Sequence, residues 1–133
     1  MAELFELTGV DALERRLQEI NALVLPISGI ALQQEADVIL AASQPLVPVD
    51  TGELRQSGHT DPVTLTATTA QCGVRYGGPG TGQRRPEDYA IRIELDVTLR
   101  HPRGGQAFFL TTPTFAAVQG MGERLAEAIR LAL

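Results

Sequence analysis

The stretch Pro45-Leu46-Val47-Pro48-Val49-Asp50-Thr51-Gly52-Glu53-Leu54-Arg55-Gln56-Ser57 divides the chain into regions with different hydrophobic periods. Two prolines stop a helix, because each lacks an N–H and disfavours helical geometry in the residue before it. Asp50-Thr51-Gly52 supplies turn chemistry: Asp and Thr bond nearby backbone, and Gly accepts positive φ. Leu54 is an apolar anchor just past the turn. A structural role is expected for Asp50, Thr51, Gly52 and Leu54: fixing how a long helical region feeds a sheet.

Before the stretch, Val10, Leu13, Leu17, Ile20 and Val24 recur at steps of three and four, with Glu14, Arg15, Arg16, Gln18 and Glu19 opposite. That spacing predicts an amphipathic helix, which Thr8 or Asp11 can begin. Pro26 either kinks it or opens a second segment. The candidate buried face of the continuation is Ile27, Ile30, Ala31, Val38, Ala41 and Ala42, so the helical region runs over 8–46. After the stretch, Val63, Leu65 and Ala67 alternate with threonines, as do Cys72, Val74 and Tyr76 with Gln71, Gly73 and Arg75. This predicts two strands joined near Thr69-Ala70. Residues 77–88 carry glycines and prolines and read as a flexible loop. Residues 89–99 alternate again and read as a strand by periodicity, placing the sheet over 53–99. Pro113 can start the last helix, 113–133, whose candidate buried face is Phe115, Val118, Leu125, Ile129 and Ala132, completed by Met121 or Gly122. There is no internal repeat, and no coiled-coil heptads are read.

The expected fold is therefore α+β: N-terminal helices, a small, mostly antiparallel sheet of three or four strands, and a C-terminal helix packed on one face. At 133 residues, 44% hydrophobic and 20% charged, the chain reads as a single domain, 1–133, able to build a core. A net charge of −5 argues against a general nucleic-acid binder, which needs a basic face to displace counterions. All 11 basic residues are arginine. Cys72, the single cysteine, excludes an intramolecular disulfide and reads as a buried free thiol. The N-terminus does not read as a signal peptide, and no apolar run approaches the ~18–20 residues of a membrane span.

Catalytic signals are thin, and no enzyme is expected. Gly78-Pro79-Gly80-Thr81-Gly82 with Arg84-Arg85 is the nearest approach to a phosphate loop. It has no Lys, and the element after it reads as a strand. His59 and His101 lie in different loops, with no ligand spacing for a metal, so no metal or cofactor is expected. Ser28, Ser43 and Ser57 sit in no nucleophile motif. Glu94 and Asp96, two apart, would share one face of a strand and read as a solvated or interface-facing edge.

Three segments together carry a resemblance. Val47-Pro48-Val49-Asp50-Thr51-Gly52-Glu53-Leu54-Arg55-Gln56-Ser57 resembles the V-P-V-D-T-G-x-L-R-x-S stretch of the tail-completion, or head–tail joining, family of long-tailed bacteriophages and prophages. Tyr89-Ala90-Ile91-Arg92-Ile93-Glu94 is similar to that family's Tyr-Ala-x-x-(Val/Ile)-Glu segment. His101-Pro102-Arg103-Gly104-Gly105-Gln106-Ala107-Phe108-Phe109-Leu110 is similar to its His-Pro run before the last helix, although Phe108 stands where a basic residue is frequent. The resemblance covers roughly residues 26–133, and it tempers the strand reading of 89–99, because the Tyr-Ala segment can be partly helical.

The resemblance implies a structural virion protein of the neck that joins head to tail as a homo-oligomeric ring. Its partners would be itself, a head-closure or connector protein, and a tail terminator or tail tube protein. DNA would pass through the lumen without specific binding, and no membrane would be involved. Location would be the host cytoplasm during assembly, then the virion. Candidate contacts are Arg84 and Arg85 in the 77–88 loop, and Arg100, His101 and Arg103 in the 100–106 loop. The alternative within this class is a tail-terminator protein. The alternative outside it is a small nucleotide- or phosphate-binding module using the Gly-rich loop.

Overall fold

A computed structural model describes residues 6–49, 52–77 and 86–133, with 86–89 as backbone only. The fold is α+β. Helix α1, Val10–Ser43, has 34 residues and is about 51 Å long. Pro26 lies inside it without ending it. A 3-10 turn, Gln44–Leu46, with Pro45 within it, closes the helical region. By length and composition, α1 with this turn is apolar enough to cross a membrane, contrary to the sequence expectation. Mostly buried core helices of soluble proteins and signal sequences pass the same test; here 22% of the apolar window is buried, and α1 carries other elements along its second half.

The buried face of that half also differs from expectation. Gly29, Ala31, Ala36, Ile39 and Ser43 are buried, whereas Ile30 and Val38 are exposed. Close approach selects small residues: a Cβ at Gly29 would stand 3.0 Å from Val63 Cγ1 and 3.2 Å from Leu65 Cδ2 of the sheet. The helix packs against a hairpin that needs its backbone near.

Glu53–Gln56 forms a single helical turn, α2, entered through Gly52 at φ 87°. Strands β1 (His59–Thr60), β2 (Thr64–Leu65), β3 (Ala70–Gln71) and β4 (Val74–Arg75) follow. Instead of one three- or four-stranded sheet they form two antiparallel ladders, β1 with β4 and β2 with β3. His59 faces Arg75 and Thr64 faces Gln71, so Asp61-Pro62-Val63 opposes Cys72-Gly73. One hairpin is thus interrupted by one extra residue, at a proline that cannot donate to a ladder. Its reverse turn lies at Ala67-Thr68, two residues before the expected connection at Thr69-Ala70. Thr66 N–H donates to Thr69 O at 2.8 Å, and Thr66 Oγ1 accepts from Thr69 N–H at 3.0 Å.

The principal correction is α3, Pro86–Leu95, which is helix and not strand. Pro86 suits a first turn. Ala90, Ile93 and Glu94 then share one helical face, with Ala90 buried and the other two half-buried, while Ile91 and Leu95 are exposed. The C-terminal region is two helices, α4 (Thr111–Val118) and α5 (Met121–Ala132), broken at Gln119-Gly120. Both pack on α1. Phe115 and Val118, expected inside, are 69% and 54% exposed. Leu125 and Ile129 are half-buried and Ala132 is exposed.

Candidate functional site

The tightest packing is at the far end of α1. Val47 (0% exposed), Leu54, Ala90 and Phe109 (1%) form one buried cluster, with Leu46, Tyr76, Ile93 and Leu110 around it. The Tyr76 and Phe109 rings meet edge to face, centroids 5.1 Å apart. Tyr76 OH lies 2.8 Å from Ser43 Oγ, and burial pushes the Tyr76 hydroxyl pKa up.

Most polar groups around this hub find partners, although Arg55 Nε is buried with no hydrogen-bond partner among the described residues. Arg55 Nη2 donates to Val47 O at 3.1 Å, and Gln44 Nε2 donates to Arg55 O at 3.1 Å. Gln106 N–H donates to Leu46 O at 2.9 Å. Gly105, at φ 93°, lies so close that a Cβ there would overlap the Pro48 backbone. Helix α4 has no side-chain cap of its own. Glu94 supplies one from α3: its carboxylate accepts from Leu110 N–H at 3.1 Å and Thr111 N–H at 2.8 Å, and also from the Thr111 hydroxyl. A carboxylate there satisfies free donors and opposes the positive end of the helix dipole. Its backbone carbonyl accepts Phe108 N–H at 2.7 Å, holding Phe108 at φ 55°. Sequence reasoning missed this role, since nothing near residue 94 announces that a helix will begin beside it at residue 111. Asp96 does not share its task. Asp96 turns to Thr98 N–H and Oγ1, whose hydrogen bonds lower its pKa.

Of the expected structural turn, Leu54 sits in the hub and Gly52 leads into α2 beside it, while Asp50 and Thr51 lie outside the described residues. Arg84 and Arg85, with most of the 77–88 loop, also lie outside them. Arg100 and Arg103 are exposed and His101 is half-buried. The His101 carbonyl accepts Gly104 N–H at 3.0 Å, so main-chain bonding orders this turn. The 100–106 loop is thereby seated beside the Pro45–Val49 segment.

Elsewhere the chemistry is quiet. Cys72 is half-buried rather than buried; its thiol donates to Asp61 O at 3.3 Å, and burial raises its pKa. His59 stands 3.6 Å from Asp61, whose carboxylate also holds Arg75. Among the described residues, no group of three His, Cys, Asp or Glu is placed to hold a metal. Arg124 binds Glu35 through two contacts, 2.7 and 2.8 Å, fastening α5 to α1 and lowering the Glu35 pKa. Two open grooves flank this pair. One, of ≈ 380 Å³, lies between α1, the hairpin and Met121; the other, of ≈ 430 Å³, lies between α1 and α4. Both are lined mainly by apolar side chains, suited to packing rather than to acid–base work. No family model, curated protein or solved structure matches the chain.

Proposed function

We propose that this chain is a structural virion protein of a long-tailed bacteriophage, a neck or tail-completion component that joins head to tail as a ring. The observation carrying this reading is the hub. The three segments that resemble the family, spread from residue 47 to residue 110, converge on one cluster: Val47 and Leu54 from the first, Ala90 from the second, Phe109 from the third. The motifs therefore read as a scaffold, and function falls to the surfaces that the scaffold presents. Its partners in this reading are further copies of itself, a head-closure or connector protein, and a tail terminator or tube protein, with DNA passing through the ring.

The test mixes the purified protein with DNA-filled tailless heads and separate tails of the phage that encodes it, and counts joined particles by electron microscopy. Joining that depends on the protein is the expected result. Heads and tails that join equally well without it would remove the reading. Stabilisation by nucleoside triphosphate would favour the phosphate-binding alternative.

A further inference from the structure

Helix α5 is held more lightly than the helices around it. Helices α1, α3 and α4 each bury at least one side chain, whereas α5 buries none. Its Met121, Leu125 and Ile129 are half-buried, and Leu131 is 80% exposed. The hub cluster includes no α5 residue. The seat is also loosely filled. The ≈ 380 Å³ groove opens between Met121 and Leu32, Ala36 and Ile39 of α1, and the ≈ 430 Å³ groove is lined by Val38, Ala42, Ala117 and Arg124. An interior leaves few voids larger than a water molecule, so this contact lacks interior packing.

The polar ties converge on one side chain. Among the described residues, Arg124 makes every side-chain hydrogen bond between α5 and the rest of the fold. Its Nε and Nη2 donate to Glu35 at 2.7 and 2.8 Å, while Nη1 donates to Gln119 O at 2.9 Å and Nη2 to Ala117 O at 2.5 Å, at the end of α4. The Arg130–Glu127 pair stays within α5. The Arg124 side chain is 47% exposed, so water and salt compete for it. Just before α5 the chain turns over two residues. Gln119 is extended at ψ 115°, and Gly120 is left-handed at φ 73°. A few such torsions suffice for a helix to swing as a body.

We infer that α5 is a latched flap: it leaves α1 as one unit, turning about Gln119-Gly120, with Arg124–Glu35 as the latch, while the hub stays closed. Opening frees the α1 surface at Ala36 and Ile39, which is buried in the closed form. The flap is independent of the neck reading and stands or falls without it.

The test is native-state amide hydrogen exchange on the full chain, read residue by residue. The α5 amides from Leu125 to Ala132 are expected to share one opening, at least about 100-fold more populated than the opening that exposes the Gln106 and Phe108 amides of the hub. Glu35→Gln removes the latch from the α1 side and should speed α5 exchange about two- to fivefold; Arg124→Gln should do at least as much. Tyr76→Phe loses only the hydroxyl contact to Ser43. It should speed hub exchange and leave α5 unchanged, because the flap opens without the hub. Protection that falls residue by residue towards Leu133 is simple fraying and overturns the inference. So does α5 exchange that matches the hub, or that rises with it in Tyr76→Phe. Latch variants that leave α5 exchange unchanged overturn it too.

Discussion

The two ends of α1 contrast in every respect that packing can vary. At the C-terminal end, residues from four separate segments meet around Val47 and Phe109, and most polar groups of the surrounding turns find partners. At the N-terminal end, ten consecutive residues of the same helix touch no core at all. Both ends are rich in apolar residues, so composition alone does not separate them. The difference lies in what arrives opposite. Prolines, Gly52 and Gly105 fold the chain back onto the C-terminal end, whereas nothing of the described chain is delivered to the other. One end holds the monomer together; the other stands exposed among the described residues.

Substitutions should divide along the same line. Phe109→Ala empties the centre of the hub and is expected to cost about 3–5 kcal/mol in urea unfolding; a cost under about 1 kcal/mol would mean that the hub is not the core. Next comes Glu94→Ala, which strands the Leu110 and Thr111 N–H donors and is expected to cost about 1–3 kcal/mol. Glu94→Gln, which keeps an acceptor, should recover part of that loss, and equal costs for the two would argue against capping. Gly52→Val places a β-branched residue at positive φ, worth about 1–2 kcal/mol. Only Gln56 Nε2, at 3.8 Å, would meet the new Cβ, so the cost measures backbone conformation rather than a clash.

A smaller effect concerns the Arg124–Glu35 pair, which lies between the two ends. Arg124 lowers the Glu35 pKa. The folded state therefore favours the ionised carboxylate, and the pair stabilises above the ordinary glutamate value near pH ~4.3. That contribution is lost as pH falls through the folded pKa. Wild type should exceed Glu35→Gln in stability at pH 7, by no more than about 1 kcal/mol for an ion pair at the surface, and the gap should close in acid. A gap unchanged between pH 7 and pH 3 would show that the pair's charge contributes nothing.

The same contrast explains what could be read from the sequence. Helix α1, its stop at Pro45–Gly52, the hairpin and the C-terminal helical region follow from local period and turn chemistry. Residues 89–99 misled because they satisfy two periods at once. Tyr89, Ile91, Ile93 and Leu95 alternate, while Ala90, Ile93 and Glu94 are spaced for a helix. The choice is made by the hub, which takes the second set, and that is tertiary information. The buried face of α1 was misjudged for a related reason. Apolarity favours Ile30 and Val38, but contact distance to the hairpin admits Gly29 and Ala36. As for the site, Gly52 and Leu54 were legible from turn chemistry. The cap from Glu94 and the groove over Ala42 depend on pairings across many residues of chain, which no local pattern encodes.

The smallest expected effect is the sharpest probe of the comparison. Leu13→Gln removes a leucine, a change that in the hub would be among the costliest. In the exposed arm the side chain already faces solvent, so unfolding at low protein concentration should shift by no more than about 0.5 kcal/mol. The same variant at high concentration should lose whatever extra stability association provides, because a partner that binds only the folded chain raises its apparent stability by mass action. Dependence of the wild-type midpoint on concentration, absent in Leu13→Gln, would make the arm an interface. A loss of several kcal/mol at every concentration would instead place Leu13 in a core of the monomer and dissolve the distinction between the two ends.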